Sequence, residues 1–212
     1  MEHDFWHERW QNNQTAFHED DGNALLHKYF GTLELSPGAR VFVPLCGKTR
    51  DIGWLLDQGL RVAGVELSEI AIRQLFDDLK IVPEVSTEGP LTRYAARHLD
   101  IYVGDYFALS AAILGPVNAV YDRAALVALP ADMRKRYAAH LCSLTGTAKQ
   151  LLLTYEYDQS KMDGPPFSVI ADEVEALYAE VYAIDMLEHL AIPGSFKRKV
   201  DATEAVWLLT PR

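Results

Sequence analysis

The run VFVPLCGKTRD from Val41 to Asp51, followed by RVAGVELSE from Arg61 to Glu69, constrains this chain more than any other stretch. An apolar strand meets a small-residue turn, a helix follows, and a second apolar strand stops at an acid, Glu66. This is half of a nucleotide-binding α/β unit. In an open parallel sheet, ligands lie outside the carboxyl ends of the strands, where the first strand-to-helix turn brings backbone N–H groups close to them. Gly47 supplies the turn position free of Cβ restrictions. An acid about 20 residues further on can accept both hydroxyls of a ribose, and Glu66 stands 21 positions after Leu45.

The turn lacks GxGxxG. Pyrophosphate needs glycines so that its oxygens can lie on a helix N-terminus, and Pro44, Leu45 and Cys46 occupy that ground. A nicotinamide dinucleotide is therefore disfavoured. A ribose-bearing ligand without phosphates, such as S-adenosylmethionine (AdoMet), suits an apolar turn and a terminal acid better. Gly47-Lys48-Thr49 is not the end of a P-loop, because Phe42 stands where the first glycine belongs. A buried βαβ unit with a single loop glycine is the plainer alternative.

Downstream, strand and helix signals alternate. Asp51 to Gln58 reads as a helix stopped by Gly59. Ser68 caps a helix from Glu69 to Leu79, with Ile70, Ile72, Leu75, Phe76 and Leu79 on its apolar face. Pro83 to Arg97 is mixed, with a turn at Gly89-Pro90. Strands are expected at Leu99–Val103, Ala119–Tyr121, Leu151–Tyr155, Val181–Leu187 and Ala205–Leu209, and helices after Pro130 and over Ala171–Ala179. The last two strands lack a helical crossover, so they pair antiparallel. The expected fold is α/β, a seven-stranded, mostly parallel sheet flanked by helices with its last strand antiparallel. No repeat or linker interrupts residues 1–212, which read as one domain.

Residues 1–30 are rich in aromatics, among them Trp6, Trp10 and Phe17, and read as a segment covering a pocket. Aromatic stripes are more often core than lid.

Two strand ends gather chemistry beside Leu45 and Glu66. Gly104-Asp105-Tyr106 follows one strand, and Asp105 could accept from an adenine amino group while Tyr106 meets the ring; a plain Gly-Asp turn is the alternative. Asp122-Arg123 follows the next. Charged groups there face water or a ligand, since isolated burial costs several kcal/mol. Arg123 either lines the cleft or merely satisfies its own loop.

Thirty acids against 20 Lys and Arg give a formal charge of −10, which repels nucleic acid and anionic membranes. Two cysteines, Cys46 and Cys142, indicate no disulfide framework and suit a reducing compartment. MEHDFWHERW is unlike a secretory signal, and no apolar run approaches about 18 residues. The chain is expected to be a soluble, cytoplasmic monomer. His3 and His7, four apart, have no third ligand in view, so no metal is expected.

Taken together, FWHERW from Phe5, TAFHE from Thr15, RVFVPLCGKTRDIGWL from Arg40, GVELSE from Gly64, YDRAALVAL from Tyr121 and GPPF from Gly164 resemble the thiopurine S-methyltransferase family, from about residue 5 to Leu209. PLCGK with DRAALVAL is specific to that family, and the compact length is similar to its bacterial members. The resemblance implies a class I AdoMet-dependent methyltransferase fold, AdoMet as donor with S-adenosylhomocysteine as product, and an aromatic thiol, or a selenium or tellurium species, as acceptor. It implies AdoMet contacts at Trp10, Leu45, Glu66 and Arg123, the adenine near Asp105 and Tyr106, and Phe17 and Arg123 bordering the acceptor. Asp105 departs from the smaller Ser of animal relatives. An oxygen or nitrogen methyltransferase, which would more often need a general base, and a non-catalytic AdoMet-binding module are the rivals.

Overall fold

The computed structural model describes residues 3–12, 22–194, 196–197 and 199–212. Its internal contacts divide into two compact units, Met1–Ala119 and Val120–Arg212.

The first unit opens with α1 (His3–Gln11) and α2 (Ala24–Tyr29), then alternates β1 (Arg40–Val43), α3 (Asp51–Asp57), β2 (Arg61–Glu66) and α4 (Glu69–Leu79). β3 (Glu84–Glu88), β4 (Leu91–Ala96), β5 (Leu99–Val103) and the short α5 (Ala111–Leu114) follow. Its strands lie in the order β3-β4-β5-β2-β1. β1 runs parallel to β2 with Val43 opposite Gly64, and β2 runs parallel to β5 with Glu66 opposite Val103. All of β1, and β2 beyond Arg61, is buried, as strands covered on both faces must be. This register brings the carboxyl ends of all three strands together.

Ser68 caps α4, accepting from the Ala71 amide, and the helix buries Ala71, Ile72, Leu75 and Phe76. Ile70, expected on that face, is instead exposed. α1 packs against α4 and carries Trp10, which is buried.

The mixed segment after Pro83 is an antiparallel hairpin, β3 with β4, turning at Gly89-Pro90. It raises the strand count among the described residues from the seven expected to nine. β3 is an exposed edge strand of polar residues, Glu84, Ser86, Thr87 and Glu88 among them, so no apolar alternation marked it.

The second unit holds β6 (Ala119–Asp122) from Val120 onward, α6 (Ala131–Thr145), β7 (Lys149–Tyr157), α7 (Ala171–Tyr178), β8 (Tyr182–Ala191) and β9 (Ala202–Pro211), with strands in the order β6-β7-β9-β8. β9 is antiparallel to both β7 and β8, as the missing crossover helix requires. Buried Arg134 ties α6 to α7: its guanidinium donates to Glu173 at 2.6 and 2.9 Å, and to the Leu129 carbonyl at 2.9 Å. Both cysteines are free. Among the described residues, no helix is long and apolar enough to cross a membrane.

Candidate active site

The loop after β1 is shaped by its own backbone. Leu45 has φ 45° and Gly47 φ 52°. A left-handed residue other than glycine costs about 1–2 kcal/mol and persists where its surroundings hold it. Here the Cys46 amide donates to the Val65 carbonyl at 3.0 Å, pinning the turn to β2. Gly47 alone was expected to need this conformational freedom, so Leu45 is the strained position that the sequence concealed.

Glu66 ends β2 with 7% of its surface exposed. Its Oε2 accepts the Gly47 amide and its Oε1 the Ser68 amide, each at 2.9 Å. Burial raises its pKa, and the amides of Ser68, Gly47 and Leu67 pull it back. A carboxylate offers about four lone-pair positions, so the two oxygens keep capacity beyond these loop donors. That capacity fits the two neighbouring hydroxyls of a ribose, and these residues therefore fit AdoMet.

Under the loop lies a close approach. A Cβ on Gly64 would fall 2.9 Å from the Cys46 sulfur and 2.8 Å from Ile101 Cδ1. Gly64→Ala should therefore lower stability by about 1–3 kcal/mol through overpacking, and displace the loop that Cys46 belongs to. A thermal melt and an AdoMet titration check both effects; an unchanged melting temperature contradicts the first.

β5 ends at Val103, and the amide of Gly104 just after it donates to the Glu66 carbonyl at 2.9 Å, extending the strand pairing. Asp105 then caps a short 3-10 turn, Tyr106–Ala108, by accepting the Phe107 amide at 2.9 Å. Part of the Asp105 carboxylate thus serves the turn, the plainer reading of Gly-Asp. Tyr106 is buried, its ring edge-on to Phe107 at 5.3 Å. Leu45, Glu66, Asp105 and Tyr106 accordingly share the carboxyl edge of β1, β2 and β5. Trp10 sits on α1 against α4, the helix capped two residues after Glu66. Phe17 lies outside the described residues.

Arg123 belongs to the second unit, where it follows β6 half-buried. Before it, Asp122 is wholly buried: its Oδ1 accepts the Leu126 amide at 3.1 Å and its Oδ2 the Tyr137 hydroxyl at 2.7 Å. Burial drives its pKa up to about 6, against the pull of those donors and of the Ala125 amide.

Two acids outside the expected set stand out. Asp122 was paired with Arg123 only as a charged strand end. Asp51, also fully buried, accepts the Asn23 amide at 2.7 Å and the Thr49 hydroxyl at 3.0 Å, tying α2 to the helix after the β1 loop. The TRD spacing before a helix was the available signal.

The chain matches the family model described as Thiopurine S-methyltransferase (TPMT) over residues 1–210. A protein of Xanthobacter autotrophicus named thiopurine S-methyltransferase is 58% identical over 210 residues, 99% of each chain. One of the same name from Acinetobacter baylyi is 46% identical over the full length of both. Among solved structures, a TehB-like SAM-dependent methyltransferase from Corynebacterium glutamicum aligns with a TM-score of 0.59 at 17% identity, covering 99% of this chain and 98% of its own. The 1,6-didemethyltoxoflavin-N1-methyltransferase of Burkholderia thailandensis, with S-adenosylhomocysteine bound, aligns at 0.62 and 16%, covering 98% and 87%. These likenesses identify the Rossmann-like fold of class I methyltransferases. With the family model matched over residues 1–210 and full-length relatives of one name, the chain belongs to the thiopurine S-methyltransferase family.

Proposed function

We propose that this protein transfers a methyl group from AdoMet to the sulfur of an aromatic or heterocyclic thiol, releasing S-adenosylhomocysteine. The observation that carries the reading is the buried Glu66 carboxylate, held by two loop amides and still able to accept a ribose. AdoMet, when bound, supplies a methyl group already activated as a sulfonium. The acceptor sulfur attacks in line: its electron pair forms the new S–CH3 bond while the sulfonium bond breaks and its pair stays on the departing sulfur. An acidic aromatic thiol has already given its proton to water, so no general base is needed. What the chain must supply is alignment, worth about 7–11 kcal/mol of barrier when complete.

In this reading Glu66 holds the ribose, Leu45 lines the donor's site, and Asp105 with Tyr106 borders the adenine. Arg123 contacts the donor and favours an anionic acceptor, while Trp10 and Phe17 exclude water from the transfer. Residues 1–30 cover the site, and the two units act as one catalytic domain, in keeping with a family match spanning both. Selenium and tellurium nucleophiles, softer still than sulfur, are further acceptors. The protein works as a cytoplasmic monomer, its two free thiols suited to a reducing compartment.

Radiolabelled AdoMet incubated with a panel of aromatic thiols, phenols, amines, selenite and tellurite tests this proposal. Label is expected on sulfur; label on oxygen or nitrogen alone, or AdoMet binding without transfer, overturns it. Arg123→Ala should cut turnover of a carboxylate-bearing aromatic thiol by about 10- to 100-fold, and that of an analogue without the carboxylate less. Equal loss for both counts against electrostatic selection by Arg123.

A further inference from the structure

We propose that Asp122 is the positioning residue for Arg123, holding the turn after β6 in the shape that presents the guanidinium to the methyl acceptor. The inference rests on the acceptor-facing role given to Arg123 above.

From Tyr121 to Ala128 every residue is buried except Arg123 and Ala124. The chain therefore leaves the core for two residues only, and what returns it is Asp122. Its Oδ1 reaches four residues ahead to the Leu126 amide, at the start of a 3-10 turn over Leu126–Ala128. Its Oδ2 takes the hydroxyl of Tyr137, a fully buried residue of α6. Between these anchors Ala124 adopts φ 61°, a left-handed conformation that an alanine keeps only when neighbouring bonds over-determine it. Arg123 is thus fixed on both sides, by a pinned strand end and by a strained turn residue.

A carboxylate is an expensive group to use here. Ser or Asn could accept the Leu126 amide as a local turn does, without burying charge. What either lacks is a second anionic oxygen for Tyr137, and charge-assisted hydrogen bonds are roughly twice as strong as neutral ones. The cost of burying the carboxylate is met by rigidity at the residue beside it. For an enzyme whose contribution is alignment, rigidity at the acceptor's partner translates into rate.

A double-mutant cycle separates positioning from general structural support. Asp122→Asn, Arg123→Ala and the double variant are assayed with 2-mercaptobenzoate and with 4-methylbenzenethiol, AdoMet affinity being followed by calorimetry. Asp122→Asn is expected to lower kcat for 2-mercaptobenzoate by about 10- to 100-fold, to weaken AdoMet binding no more than Arg123→Ala does, and to add nothing once Arg123 is Ala. Should Asp122→Asn not fold, Tyr137→Phe, which removes only the hydroxyl, enters the same cycle with the same expected non-additivity. Losses that multiply with Arg123→Ala, or a loss of AdoMet affinity larger than that of Arg123→Ala, overturn the proposal. If Arg123→Ala itself leaves turnover intact, the acceptor-facing role of Arg123 falls and this proposal falls with it. An impaired Arg123→Ala with multiplying losses removes the proposal alone.

Discussion

Glu66→Ala is expected to weaken AdoMet binding by about 1–3 kcal/mol, between about 5- and 150-fold, through loss of two ribose hydrogen bonds to a charged acceptor. The substitution also strips the Gly47 and Ser68 amides of their acceptor, so the loop loses shape as well as a ligand contact. Glu66→Gln is no mild replacement. Each carboxylate oxygen faces a backbone N–H, so the new NH2 group must point a donor at a donor. Calorimetry should therefore place Gln nearer to Ala than to the parent. Unchanged AdoMet affinity in both variants would remove Glu66 from the site.

The second large effect concerns pH. Asp122 titrates near 6 in the folded protein and near 3.8 when solvated. The native state then holds this proton more tightly than the unfolded chain does, and stability falls as pH rises through that window. The contribution is complete below about 3.8 and lost above about 6. A gap of this width between the folded and unfolded titrations is worth about 3 kcal/mol. Asp122→Asn should abolish this component, flattening the difference in urea midpoint between pH 4 and pH 7 relative to the parent. Parallel pH profiles for the two proteins would show that Asp122 titrates normally and is not desolvated as its surroundings imply.

How far the sequence revealed the site depended on how locally each residue acts. The strand–turn–helix–strand unit was legible because apolar runs, a loop glycine and an acid at fixed spacing report covalent neighbours, and Ser68 was legible as a cap for the same reason. β3 was not, because an exposed edge strand pairs through its backbone and needs no apolar alternation. The pressure of Gly64 on Cys46 was equally hidden: 18 positions separate them in sequence, and only strand register sets them in contact. Asp122 read only as a charged strand end facing water or a ligand, and Asp51 only as the first residue of a helix. Their partners Tyr137 and Asn23 lie 15 and 28 residues away, so burial alone exposed them.

The packing of Cys46 against Gly64 bears on the chemistry in another way. A protein that alkylates sulfur carries a sulfur of its own in the loop after β1. Burial, and secondarily the charge of Glu66, push the Cys46 thiol well above its ordinary value, so at neutral pH it stays protonated. The thiolate, not the thiol, is the nucleophile. Burial, reinforced by the carboxylate assigned to the donor's ribose, thereby keeps this sulfur from competing for the methyl group, and the intact mass of the protein should not rise by a methyl during prolonged incubation with AdoMet alone.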